Sequence, residues 1–280
     1  MLLRRFAFMF CVTLFITGSF FAQNEARINR KAESLVIGET FSINSKVLNE
    51  SRRMNVYVPS GYSDSKSLRL PVLYMPDGGI AEDFLHIAGL VQVSVGNGTM
   101  RPFLLVGIEN TQRRRDMTGP TLNENDKKIA PQVGGSAAFR KFIRDELMPE
   151  VNKRYRTTGE TAIVGESLTG LFVLETLVLQ PDLFDTYIAF DPSLWWNDEK
   201  LIQIARSSLA KKLEGKTLYL ASSGEKGVAD LTQKFETAIA ASILGARRHH
   251  EVMQDETHAT IYHPAALKAF RLVLGHKRQK

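Results

Sequence analysis

From Pro71 onward, short apolar runs rich in β-branched and aromatic residues alternate with longer stretches of helical periodicity, and few folds accommodate that rhythm. The pattern predicts strands over 72–75, 103–108, 162–164, 186–190 and 218–221. Helices are predicted over 80–93, 136–155, 168–179, 200–213, 228–244 and 264–274. Alternation of this kind builds a mostly parallel sheet with helices on both faces. Before it, residues 41–48 and 53–59 alternate between apolar and polar, as in antiparallel edge strands with one wet face. In an open sheet of this class, ligands bind beyond the carboxyl ends of the strands, so the residues that follow each run are where chemistry is sought.

The run 162–164 leads into Gly165-Glu166-Ser167-Leu168-Thr169-Gly170 and then directly into a helical pattern. A serine on a sharp strand-to-helix turn is held where a histidine can reach it, and flanking glycines permit both the turn and close packing. The usual form is G-x-S-x-G; here Thr169 stands at the last glycine position and Gly170 follows it. The alternative for Ser167 is an ordinary cap that accepts a backbone N–H bond at the helix start.

A serine nucleophile needs a base, and of the six histidines His258 stands best, after the last strand-like run and before the final helix. His263 belongs to the first turn of that helix, His249 and His250 to the last strand, and His86 to a helix. Glu225, after the penultimate strand, is the leading candidate for the acid that orients the imidazole, with Asp230 and Asp191 as competitors. For a developing oxyanion the expected donors are the N–H of Leu168 and amides of the Asp77-Gly78-Gly79 loop, at Gly78 and Gly79. Arg113, Arg114 and Arg115 form either an anion-binding cluster, with Arg114 and Arg115 as substrate contacts, or ion pairs with neighbours such as Asp116. Trp195 and Trp196 either offer a flat wall to an aromatic acyl group or close the core.

Met1-Leu2-Leu3-Arg4-Arg5, the apolar stretch over 6–21 and the polar Gln23-Asn24-Glu25 read as a secretory signal peptide over 1–22, and hence as a secreted or periplasmic protein. The only cysteine, Cys11, lies within it, which leaves the mature chain without a disulfide. The remaining 23–280 suit one large domain. Net charge is +6, or about +4 without Arg4 and Arg5, and the basic residues are scattered with no nucleic-acid motif. No metal or organic cofactor is expected, nor stable membrane insertion after cleavage; the expected partner is a small-molecule ester.

Taken together, several motifs resemble the putative-esterase family of α/β-hydrolases, which includes siderophore trilactone esterases, feruloyl and other carbohydrate esterases, and mycolyltransferases. They are Pro71 through Gly78, Arg113-Arg114-Arg115-Asp116, Gly165 through Phe172, Pro181-Asp182-Leu183-Phe184-Asp185, Pro192-Ser193-Leu194-Trp195-Trp196 and Glu256-Thr257-His258. The resemblance runs from about Arg53 to Leu274 and implies an α/β-hydrolase fold, Ser167 as nucleophile and His258 as base. It implies ester hydrolysis through an acyl-enzyme; acyl transfer by the same residues, or a non-catalytic binding role on a hydrolase scaffold, are the alternatives. Siderophore-esterase relatives commonly carry serine at the position of Asp191 and histidine at that of Glu166, and the family differs in its triad acid.

Overall fold

The computed structural model describes residues 32–208, 213–240 and 245–276, and the fold lies in the compact unit Ile37–Lys280. The signal peptide read over 1–22 lies outside the described residues. Among the described residues, no helix is long and apolar enough to cross a membrane.

Eight strands form one sheet: β1 (Glu39–Ser45), β2 (Glu50–Tyr57), β3 (Leu70–Pro76), β4 (Leu104–Ile108), β5 (Thr157–Glu166), β6 (Thr186–Phe190), β7 (Thr217–Ser223) and β8 (Arg247–Met253). Their order across the sheet is β1-β2-β4-β3-β5-β6-β7-β8. The first two are antiparallel to each other and β2 is antiparallel to β4, whereas every pairing from β4 to β8 is parallel. The helices are α1 (Phe84–Gly96), α2 (Arg113–Met117), α3 (Glu124–Lys128), α4 (Ser136–Phe142), α5 (Met148–Arg154), α6 (Leu168–Leu179), α7 (Trp196–Ser208), α8 (Lys226–Ala240) and α9 (Tyr262–Val273). This is the mostly parallel, helix-flanked sheet that the alternation predicts, in the α/β-hydrolase arrangement that the resemblance implies.

Parallel strands buried on both faces feed two cores, and the two-residue period of a strand sorts their side chains. From β3, Leu70, Val72 and Tyr74 join the core under α4 to α8, while Leu73 and Met75 join the one under α1 and α9. The helix expected over 136–155 is interrupted by a π-helical turn at Ile143–Leu147. Pro149, near the start of α5, supplies the reason: it lacks an N–H and its ring crowds the carbonyl four residues earlier, so a widened turn absorbs the mismatch. In α7, Asn197, Asp198 and Glu199 adopt left-handed angles, so the regular helix begins after them, as its apolar periodicity from Lys200 implies.

Helix α2 is too short to hold itself in place and is anchored by charge. Arg52 on β2 is completely buried; it donates to the Asp116 carboxylate, lies 2.8 Å from Glu50 through Nε and stacks over Phe139. Arg115 also binds Asp116 and Glu50, which closes a network of four charged side chains. Removing Asp116 leaves buried Arg52 with only the partly exposed Glu50 as a counterion. Asp116→Ala should destabilise the fold by about 3–5 kcal/mol, read as a lower urea midpoint, because Arg52 loses its buried counterion.

Candidate active site

The chain leaves β5 through Glu166 and turns at Ser167, whose φ of 60° and ψ of −123° are strained for any residue but glycine. That turn is held by the Ser167 N–H, which donates to Phe190 O at 3.0 Å, and by Ser167 O, which accepts from the Ser193 N–H at 3.0 Å. Gly165 is required because a Cβ there would lie 2.3 Å from the Thr169 methyl, and Gly170 because one would lie 2.9 Å from Phe190 O. Thr169 therefore occupies space that Gly165 vacates, and close approach to β6 falls to Gly170. The Thr169 hydroxyl has its own partner, donating to Asp77 Oδ2 at 2.6 Å. The departure from G-x-S-x-G thus brings a hydrogen bond with it.

His258 stands on the loop between β8 and α9. Its Nε2 is 3.1 Å from Ser167 Oγ and its Nδ1 is 3.1 Å from Asp191 Oδ2. With the hydrogen on Nδ1, directed at Asp191, the Nε2 lone pair faces the serine hydroxyl. Asp191 follows β6 in a left-handed conformation, φ 39°, and is 1% exposed; its other oxygen accepts the Ser223 N–H at 2.5 Å. Glu225 is also at the site, but its carboxylate accepts the backbone N–H of His258 at 2.9 Å and not a ring nitrogen. Asp230 pairs with Lys226 on the exposed face of α8. Of the three candidate acids, Asp191 is the one on the imidazole. The hydrogen bond to Asp191 raises the His258 pKa above its ordinary 6.5; burial opposes this, and the charges of Glu166, Asp191 and Glu225 add to it.

The amides expected to hold an oxyanion differ in their availability. Leu168 is the first residue of α6, so its N–H has no partner within the helix. Gly78 N–H donates to Ile108 O at 3.0 Å, and Gly79 N–H donates to Glu82 Oε2 at 2.7 Å. Gly78 is therefore committed to the sheet edge, and Gly79 becomes a donor to substrate only when Glu82 moves. The carboxylate of Asp77 is the more conspicuous feature of that loop. It accepts from Arg113 Nε and Nη2 at 2.7 and 2.8 Å, from Asn110 at 2.5 Å and from Thr169.

The arginine run divides. Arg113 reaches the site through Asp77, Arg114 donates to Ile129 O on the surface, and Arg115 is spent on Glu50 and Asp116. Neither Arg114 nor Arg115 is brought to Ser167. The tryptophans divide too: Trp196 is buried, its Nε1 donating to Gly119 O at 2.9 Å, whereas Trp195 is 44% exposed. Trp195, Pro192, Val228 and Leu231 form the apolar side of an open cavity of about 510 Å³ that contains Ser167 and His258. Ser193, with Oγ 3.5 Å from Ser167 Oγ, lines it as well. Val228 and Leu231 carry no signal of a site role in the sequence, because on an amphipathic helix nothing distinguishes a cavity-facing side chain from a core one. Among the described residues, no group of three or more His, Cys, Asp or Glu side chains is placed to hold a metal ion.

Comparison with known proteins agrees with this architecture. Over 169 residues, 53% of this chain and 56% of the relative, the sequence is 32% identical to the ferri-bacillibactin esterase BesA of Bacillus subtilis. It is 31% identical over 175 residues, 55% of each chain, to the siderophore triacetylfusarinine C esterase of Aspergillus fumigatus. The aligned region thus spans about half the length of these curated relatives. Among solved structures, an IroE-like serine hydrolase from Shewanella oneidensis superimposes with a TM-score of 0.74 at 26% identity, covering 85% of this chain and 80% of that one. Residues 45–273 match the family described as "Putative esterase", and the chain belongs to that family.

Proposed function

We propose that the chain is a serine ester hydrolase that works through an acyl-enzyme at Ser167, with His258 as general base and acid and Asp191 as the orienting carboxylate. The linear array of Asp191, His258 and Ser167, with both contacts at 3.1 Å, carries this reading. In the first half-reaction Ser167 Oγ attacks the ester carbonyl while His258 Nε2 takes its proton, then returns that proton to the departing alcohol. Water deacylates the enzyme by the same path in reverse. Asp191 keeps the hydrogen on Nδ1 and stabilises the imidazolium, and the Leu168 N–H receives the oxyanion. The substrate we propose is a small siderophore-type ester, supported by the activities of the bacterial and fungal relatives and by the apolar wall of Trp195, Val228 and Leu231. The N-terminal pattern over 1–22 supports action outside the cytoplasm.

Ser167→Ala should lower hydrolysis of p-nitrophenyl esters by roughly 10³-fold or more and abolish labelling by a fluorophosphonate. Unchanged turnover would remove Ser167 from the mechanism. Siderophore esters, feruloylated sugars and simple acyl esters assayed in parallel identify the substrate, and preference for either of the latter two overturns the siderophore assignment.

Asp191→Asn should cost roughly 10³–10⁴-fold in kcat by favouring the wrong imidazole tautomer, whereas Glu225→Gln, which touches only the backbone of His258, should cost less than about tenfold. The opposite ranking would assign the acid to Glu225.

Neutral His258 is the active form and its pKa is raised, so activity should be present at alkaline pH and lost as pH falls through a value above 6.5. An acid limb of kcat/KM centred at or below 6.5 contradicts this geometry.

A further inference from the structure

Asp191 is not the only carboxylate on the imidazole. Glu166 Oε1 lies 3.3 Å from His258 Nε2, on the side of the ring that faces Ser167. This oxygen is buried and has no hydrogen-bond partner among the described residues. A carboxylate at that place in the chain, just before a helix, ordinarily complements the helix N-terminus by accepting a first-turn N–H. Glu166 accepts none, so helix capping does not account for it. A buried acceptor left unpaired is costly unless it is satisfied in another state of the protein.

We propose that Glu166 is a positioning residue of the catalytic cycle, which accepts the Nε2–H of His258 once that ring has taken the proton of Ser167. This rests on the serine-hydrolase reading. In the resting enzyme Nε2 presents a lone pair to the Ser167 hydroxyl, and Glu166 has no hydrogen to receive from it. When the Oγ–H bond breaks and the Nε2–H bond forms, the imidazolium carries hydrogens on both nitrogens, and each has a carboxylate beside it. Asp191 holds Nδ1–H throughout, and Glu166 holds Nε2–H until the alcohol departs with that proton. The proton that Ser167 loses thus leaves with the alcohol, and the step balances with no other reactant.

The surroundings bear on how Glu166 titrates. Burial pushes its pKa up to about 7, with Asp191 and Asp77 adding to the rise while His258 and Arg113 oppose it. Arg113 is itself paired with Asp77, which limits what it offers Glu166. From the β7 side Glu225 faces the His258 backbone, and from α9 the buried hydroxyl of Tyr262 lies within electrostatic range of Glu166, its own pKa raised by burial. Glu166 and His258 face each other at 3.3 Å, so the charge on each bears on the titration of the other.

The test is the titration of His258 followed by NMR on histidine-labelled protein, with the pH profile of kcat/KM beside it. Glu166→Gln should lower the His258 midpoint by about one pH unit, the low end of the effect of a neighbouring opposite charge, and move the acid limb of kcat/KM down with it. Its activity at the optimum should fall by about tenfold, since the imidazolium loses one acceptor. Glu166→Asp keeps the charge and should give a midpoint between the two. A role confined to packing would alter stability and leave the midpoint in place, and an unmoved midpoint in both variants overturns the proposal. Absence of ester hydrolysis or of Ser167 labelling in the unmodified protein would instead overturn the serine-hydrolase reading, with the His258 midpoint still deciding whether Glu166 acts on the ring.

Discussion

The carboxylate of Asp77 holds the working edge of this molecule together. Four hydrogen bonds converge on its two oxygens, from Arg113 on α2, from Asn110 after β4 and from Thr169 on α6, while its own backbone carries the turn out of β3. The group is only 6% exposed, so its charge depends on these donors for solvation. The dependence is mutual. Thr169 lies two residues beyond Ser167, and Arg113 is positioned because Asp116, three residues along the same short helix, is clamped to buried Arg52. A chain of charges therefore runs from the antiparallel edge of the sheet to the helix that follows Ser167, and Ser167 inherits its position from ion pairs some distance away.

Three parallel strands end in non-glycine residues with left-handed backbones: Asp77 after β3, Ser167 after β5 and Asp191 after β6. Each costs about 1–3 kcal/mol of conformational strain and persists because neighbouring bonds hold it. The reward is directional. A left-handed residue at the end of a strand turns its side chain off the sheet edge, and these three side chains are the Asp77 carboxylate, the Ser167 hydroxyl and the Asp191 carboxylate that faces His258. Strain is concentrated where an ordinary extended residue would aim its side chain into one core or the other.

That concentration also explains what is legible in the sequence. Strand and helix order follow from hydrophobic period, which is a property of whole segments, and the positions of Ser167 and His258 follow from their places between such segments. The acid does not. Asp191 and Glu225 both follow buried parallel strands, and both end within hydrogen-bonding distance of His258, one at the ring and one at the backbone. Which atom each reaches depends on the φ of 39° at Asp191 and on the Ser223 N–H that fixes its second oxygen, neither of which has a periodic signature. The arginine run fails in the same way: on a five-residue helix, consecutive side chains point about 100° apart, so Arg113, Arg114 and Arg115 necessarily meet three different environments. The Asp77-Gly78-Gly79 loop is recognisable by composition, yet its amides are largely committed and its carboxylate does the organising.

The six residues Gly165 to Gly170 show how a departure from a motif is absorbed. Replacing a glycine by threonine at 169 would collide with the preceding strand were residue 165 not itself glycine, and it would bury a hydroxyl without a partner were Asp77 not 2.6 Å away. Gly170, one position later, allows the approach to β6 that the shifted packing needs. Sterically and in hydrogen bonding, then, the threonine is matched on every side. Glu166 is the member of the six that the resting structure leaves unmatched, since nothing among the described residues donates to its buried oxygen. On the proposed serine-hydrolase reading, the partner of that unpaired carboxylate is the hydrogen that the neighbouring Nε2 of His258 takes from Ser167.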